Sequence, residues 1–225
     1  MQYLSQRLAV ESTRTRRGDQ PRGSVEATQR ERILAATEGL IAEKGCAGTS
    51  IEAIVKAAGV ATITFYEHFE DKEACFVATF ERAFEETQAA LIEAAPADLA
   101  WDDRVRAGLR ALLATIAADP GRARVCLVEA QMGGPALRAR YEEALDDAVL
   151  FLRHGRGLAS APGELSSSVE EATVGGLAWL LRERLETGGG GGVEDLLPRM
   201  TEIALSPYLG ETLRATVAEA ARDDG

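Results

Sequence analysis

Apolar residues recur along this chain at intervals of three and four, the period of helices that bury one face. Ile33, Leu34, Thr37, Leu40 and Ile41 form the first stripe. Thr28-x-x-Glu31, a capping box, places its start, and Gly45 supplies a left-handed stop. Thr49-x-x-Glu52 opens a short helix that turns Ile51, Ile54, Val55 and Ala58 inward. Gly59 frees the backbone for a tight turn, and a third short helix reaches about His68 with Phe65 and Phe69 on one face. Asp71 then caps a helix from Lys72 to Ala94.

The same period predicts further helices downstream. One starts at Asp98 or Asp102 and runs to Ala118, where Asp119-Pro120-Gly121 breaks it. A shorter helix over 121–131 stops at Gly133-Gly134, and Pro135 suits the first turn of a long helix reaching about His154. Leu158 to Ser167 reads as a loop, and Ser167 or Ser168 caps a helix to Glu186. The five glycines 188–192 read as a flexible linker. A helix over Val193–Ser206 and a last one over 211–221 follow, separated by Pro207 and Gly210. The fold class is all-α: a three-helix head, then a body of six to seven helices. We expect an arginine-rich arm over 1–24, a helix-turn-helix domain over 25–71 and a body over 72–225.

Composition agrees. Apolar residues make up 46% of the 225 and aromatics only 5%, and no segment alternates as a strand would. No run of about 18 apolar residues is present, so no membrane span is expected, and the polar start lacks an apolar leader core. Together these point to a cytoplasmic protein. Cys46, Cys75 and Cys126 lie scattered and form no CxxC pair, which fits reduced, buried thiols and no metal site.

The net charge of −11 is at odds with a polyanionic partner, but its distribution is uneven. Residues 1–72 balance ten Lys/Arg against ten Asp/Glu, so the whole excess lies in 73–225. Residues 1–32 carry seven Arg against four acids. The arm, with Arg7, Arg14, Arg16, Arg17 and Arg22, can follow phosphates or a minor groove, although a solvated tail is the simpler reading.

Two short helices joined by Ala58-Gly59-Val60 form the pattern that sets one helix into a DNA groove. Thr49-Ser50-Ile51, Ala57-Ala58-Gly59-Val60, Thr64-Phe65-Tyr66, His68-Phe69 and Lys72-Glu73 follow a first helix ending in Glu43-Lys44-Gly45. In this order the segments resemble the amino-terminal domain of the tetracycline-repressor (TetR) family of bacterial regulators. The resemblance covers roughly residues 28–74. It implies a homodimer that binds a palindromic double-stranded DNA operator and is released by an unknown small molecule. The long helix from Lys72 would link reader to body, and the last two long helices would pair with their copies. A repressor is implied more often than an activator, and no cofactor.

On that footing Thr49, Ser50, Thr64, His68 and Lys72 are expected at phosphates, and Thr62, Ile63 and Tyr66 at base edges. Thr62 stands where the family often has a cation, Ala61 where it commonly has Ser, and Glu67 puts an acid on the reading helix. Candidates for an effector cavity are Phe80, Phe84, Trp101, Leu109, Leu112, Leu113, Cys126, Glu129, Met132, Tyr141, Phe151 and His154, each with ordinary core packing as the simpler role. His154 also suits a helix C-terminus. The expected dimer faces comprise Val169, Thr173, Gly176, Leu177, Leu180 and Leu181 on one helix, and Leu196, Leu197 and Met200 on the next.

Two other classes compete. A dimeric small-molecule binder with degenerate DNA reading is kept open by Ala61, Thr62 and Glu67. An enzyme is disfavoured: there are two histidines, and no GxSxG, HExxH, Walker or GxGxxG pattern.

Overall fold

Helix follows helix throughout, and no strand occurs among the described residues. The computed structural model describes the backbone of residues 22–159, 165–188 and 191–223, and the side chains of 27–159, 165–188 and 191–210. The head consists of α1 (Arg22–Gly48), α2 (Ile51–Ala58) and α3 (Thr62–His68). The body consists of α4 (Lys72–Ala94), α5 (Trp101–Ala118), α6 (Pro120–Leu127), α7 (Pro135–Arg153), α8 (Val169–Gly188) and α9 (Leu197–Asp223). Short 3-10 turns lie at Glu129–Gln131, His154–Leu158 and Val193–Leu196.

Several predicted helix ends move. The first helix opens at Arg22, so the Thr28–Glu31 pair lies inside it rather than at its start. Of the arm's arginines only Arg22 is described; Arg7, Arg14, Arg16 and Arg17 lie outside the described residues. Gly45 does break α1, but with φ 73° and ψ 169°, a positive φ on extended backbone rather than a left-handed helical turn. Ser50, not Thr49, caps α2, accepting from the Ala53 N–H at 3.2 Å. Neither Asp98 nor Asp102 caps α5; Ala100 precedes it, and Asp102 pairs with Arg106 one turn on. Pro207 sits within α9, which continues past a break at Gly210.

The head has no core of its own. Ile33, Leu34, Ile41, Ile54, Phe65 and Phe69 share one buried cluster with Phe76 and Phe80 of α4, Val125 of α6 and Leu137 and Tyr141 of α7. Ion pairs close the same joint from outside. Glu38 of α1 takes Arg82 of α4 on one oxygen and Arg122 of α6 on the other, the latter at 3.2 Å; Arg82 also holds Glu31, and Arg122 holds Glu86. Two more clusters fill the far body. Leu113, Ile116, Leu180, Leu181, Leu196 and Met200 form one, and Val105, Val149, Leu152, Val174, Leu205 and Tyr208 the other.

The far end is tied by a buried carboxylate. Glu170 in the first turn of α8 has no exposed surface. Arg156 grips it with Nε on Oε1 at 2.8 Å and Nη2 on Oε2 at 2.7 Å, and the Tyr208 hydroxyl donates to Oε1 at 3.1 Å. The hydrogen-bonding Arg156 guanidinium holds the Glu170 carboxyl below its ordinary value of 4.5. Its contribution to stability is therefore complete above that value and disappears as pH falls through the lower folded one. In urea titrations, Glu170→Gln should be less stable than the parent at neutral pH, with the gap closing as pH falls below the ordinary value of 4.5. A pH-independent gap would contradict this assignment.

Candidate nucleic-acid interface

The turn between α2 and α3 follows from Gly59, whose φ of 63° and ψ of 41° lie in the left-handed region that favours glycine. Its amide bonds back to the Lys56 carbonyl at 3.3 Å. Arg32 of α1 donates to the carbonyls of both Ala58 and Gly59, stapling the turn to the first helix. Arg32 escapes a sequence reading because its partners are backbone atoms 26 and 27 residues away.

Phe65 is fully buried and stacks near Phe69, with ring centroids 5.6 Å apart. This anchor fixes the rotation of α3 and turns the opposite side out. Ile63 is 68% exposed and Tyr66 54%, and Thr62 and Glu67 are exposed beside them. Thr64 is half-buried, and Ala61 before the helix offers no side-chain cap.

The residues expected at phosphates are placed less uniformly. Ser50 is exposed. Thr49 is buried, with its hydroxyl committed to the Gly45 carbonyl at 2.8 Å, which removes its side chain from any surface. Lys72 is half-buried and donates to the Thr49 carbonyl at 3.1 Å, so one ammonium proton ties α4 to the start of α2. His68 turns Nε2 out of solvent with no hydrogen-bond partner, against the expectation that it faces outward.

The effector candidates do not converge. Phe80, Phe84, Cys126 and Tyr141 belong to the shared head–body cluster, Leu109, Leu112 and Leu113 pack in the second, and Trp101 and Phe151 in the third. Met132 is 75% exposed, and His154 is an exposed helix end whose Nδ1 meets the Leu150 carbonyl at 2.8 Å. A cleft of about 170 Å³ between α5 and the last 3-10 turn is lined by Arg110, Leu113, Ala114, Glu194 and Leu197. Of the predicted residues only Leu113 reaches it. Burial pushes the thiols of Cys46 and Cys75 up to about 11 and that of Cys126 to about 12, which keeps all three protonated at neutral pH.

Glu129 is buried for a different reason from the one expected. Its Oε2 accepts the Cys46 N–H at 2.9 Å, and its Oε1 pairs with Arg124 at 3.3 Å. A side chain at Gly45 would lie 2.9 Å from Oε2. The body therefore holds the end of α1 through one carboxylate. Within the body, Glu73 of α4 makes a similar bond, accepting the Ala136 N–H at the start of α7 at 2.7 Å.

Most residues expected at the dimer faces pack within the chain. Leu180, Leu181, Leu196 and Met200 are buried within the single chain, and Thr173 is buried with its hydroxyl on the Val169 carbonyl. Leu177 and Leu197 pack against the same core, while Val169 and Gly176 are half-buried. The outer side of α8 carries Ala172, Gly175 and Trp179 instead, with Trp179 51% exposed. Apolar periodicity found the helix, and the stripe it marks packs into the chain's own core.

The family model for bacterial regulatory proteins of the tetR family matches residues 33–79, which span most of the head and the start of α4. Residues 33–79 therefore carry the amino-terminal domain of the tetR family of bacterial regulatory proteins, a domain of DNA-binding transcription regulators. No curated protein matches it in sequence. Solved tetR-like structures resemble it over most of its length. A TetR-like transcriptional regulator from Rhodococcus sp. RHA1 is 19% identical, with a TM-score of 0.69 over 85% of this chain and 100% of that one. The regulator FadR from Bacillus subtilis, in complex with stearoyl-CoA, is 19% identical, with a TM-score of 0.63 over 79% and 98%. AibR, in complex with isovaleryl coenzyme A and operator DNA, is 18% identical, with a TM-score of 0.64 over 80% and 100%. At these identities the likeness establishes the fold.

The Glu129 joint yields a stability prediction. Glu129→Ala leaves a buried N–H unsatisfied and should cost about 1–3 kcal/mol, lowering the melting temperature by roughly 2–10 °C. Glu129→Gln keeps an acceptor and should lose less. Equal melting of all three proteins would sink the assignment.

Proposed function

We propose that this tetR-family regulator is a homodimeric repressor that reads a palindromic operator through α3 and leaves it when a small molecule enters the body. The observation that carries the reading is the outer face of α3. Ile63 and Tyr66 stand exposed on a helix whose opposite side is locked by Phe65. An exposed aromatic and an exposed β-branched residue on a two-turn helix suit a groove better than bulk water. Thr62 joins them toward base edges, while Ser50, Thr64 and Lys72 remain for the backbone, with the arm as a further source of cations. A cytoplasmic location follows from the DNA target; no described helix is long and apolar enough to cross a membrane.

Release follows from the joints between head and body. Two reading helices must lie about 34–36 Å apart to enter successive major grooves. A ligand that favours a body state with α4 or α6 displaced would carry α1 along through Glu38 and Glu129 and spoil that spacing. The cleft beside Leu113, about 170 Å³, is smaller than the roughly 300–1,000 Å³ of sites for drug-sized ligands, so a ligand of that size would have to widen it to bind there. Coenzyme A thioesters are the first class to try, because FadR of Bacillus subtilis and AibR hold them in the same fold.

Selection of bound duplexes from random DNA, followed by gel shift, tests the reading. Tyr66→Ala should weaken the selected site by at least tenfold, about 1.4 kcal/mol, without lowering the melting temperature. No enriched sequence, or no loss in the variant, would refute it.

Dimerisation has its own test. The exposed Trp179 beside Gly175 and Ala172 suits close packing against a second copy of α8. Trp179→Glu should give a monomer by light scattering with the helical content intact. An unchanged dimer mass would move the interface elsewhere. Leu177 and Leu197 are poorer choices, since both pack inside the chain.

A further inference from the structure

The chemistry of α3 narrows what it can recognise. From Ala57 to Asp71 the chain has no Lys, Arg, Asn or Gln. The bidentate pairs that most directly specify bases, Arg or Lys on guanine and Asn or Gln on adenine, are therefore absent from the reading helix and both its flanks. His68 keeps Nε2 buried, and Glu67 can only accept. What the helix presents instead is apolar. Ile63 is the most exposed large hydrophobic residue of the head, and the Thr62 methyl neighbours it on the same turn.

Burying an isoleucine is favourable only against an apolar surface. Among the base-edge groups of the major groove, the C5-methyl of thymine is the apolar one. We propose that the operator is read chiefly through pyrimidine C5-methyl groups, with Ile63 as the specificity-determining residue and Thr62 and Tyr66 completing its contact. The inference rests on the DNA-reading role proposed above and names the chemical group recognised.

Uracil in place of thymine removes that methyl and leaves base pairing unchanged, which gives a direct test. Full-length protein is first used to select its sites from random duplexes, and each thymine of a half-site is then replaced in turn by uracil. At one position per half-site, uracil should weaken binding about fourfold, equivalent to about 0.8 kcal/mol, the value of one buried methyl. At that position 5-methylcytosine paired with guanine should bind more tightly than cytosine by a similar factor. Ile63→Ala should bind the thymine and uracil duplexes equally. Specific binding by the parent protein with no thymine–uracil difference at any position would overturn the proposal and leave the DNA-reading role standing. Failure to select any sequence would overturn both.

Discussion

Everything at the reading end depends on where α1 stops. Gly45 turns there with a positive φ, and its neighbour Cys46 donates its amide to a carboxylate 83 residues further along the chain. Glycine suits that position, because its φ of 73° favours glycine and a side chain there would lie 2.9 Å from the accepting oxygen. From this point the backbone is pinned in sequence. Thr49 bonds back to Gly45, and Lys72 bonds to Thr49. The starts of α2 and α4 are therefore set relative to Glu129, a residue of the body. A head without a private core cannot rotate freely, and α3 inherits its position from the body.

The Glu38 network lies on the same joint and acts differently. Its members are partly exposed, so the net stabilisation from each pair is modest. Their value lies in geometry: one carboxylate divided between a guanidinium on α4 and another on α6 has few alternative arrangements. Apolar packing by itself would allow these helices to slide by fractions of a turn. A set of directional bonds favours discrete positions, which is what a two-state regulator needs from its hinge.

How much of this was legible in the sequence varies with the range of the interaction. The helix order and the turn at Gly59 were readable because period and glycine act locally. Helix starts fared worse: Thr28 and Asp98 offer good capping chemistry, but α1 opens before the first and α5 only after the second. Glu129 stood out as a charge among apolar neighbours, yet its role needed a partner that no local pattern reveals. The apolar stripe of α8 was real, and the structure shows that it faces inward. Trp179 and the small residues beside it were overlooked because a single exposed tryptophan leaves no periodic signal.

The charge distribution and the reading helix bear on one another. Non-specific DNA affinity comes from phosphate contacts by cations, and it is what a regulator must overcome to find one site among many. A reading helix with no Lys or Arg adds little to that background, whose cations come instead from Lys72 and the arm. The helix's own share of operator affinity is correspondingly limited. The ratio of specific to non-specific binding need not suffer, because methyl and hydroxyl contacts at base edges count only at the right sequence. A modest grip also lowers the coupling free energy that an effector must supply to release the protein. In this regulator a weakly charged reader and a firmly jointed hinge are two sides of one arrangement: the first leaves little binding energy to overcome, and the second ensures that movement of the body reaches the DNA.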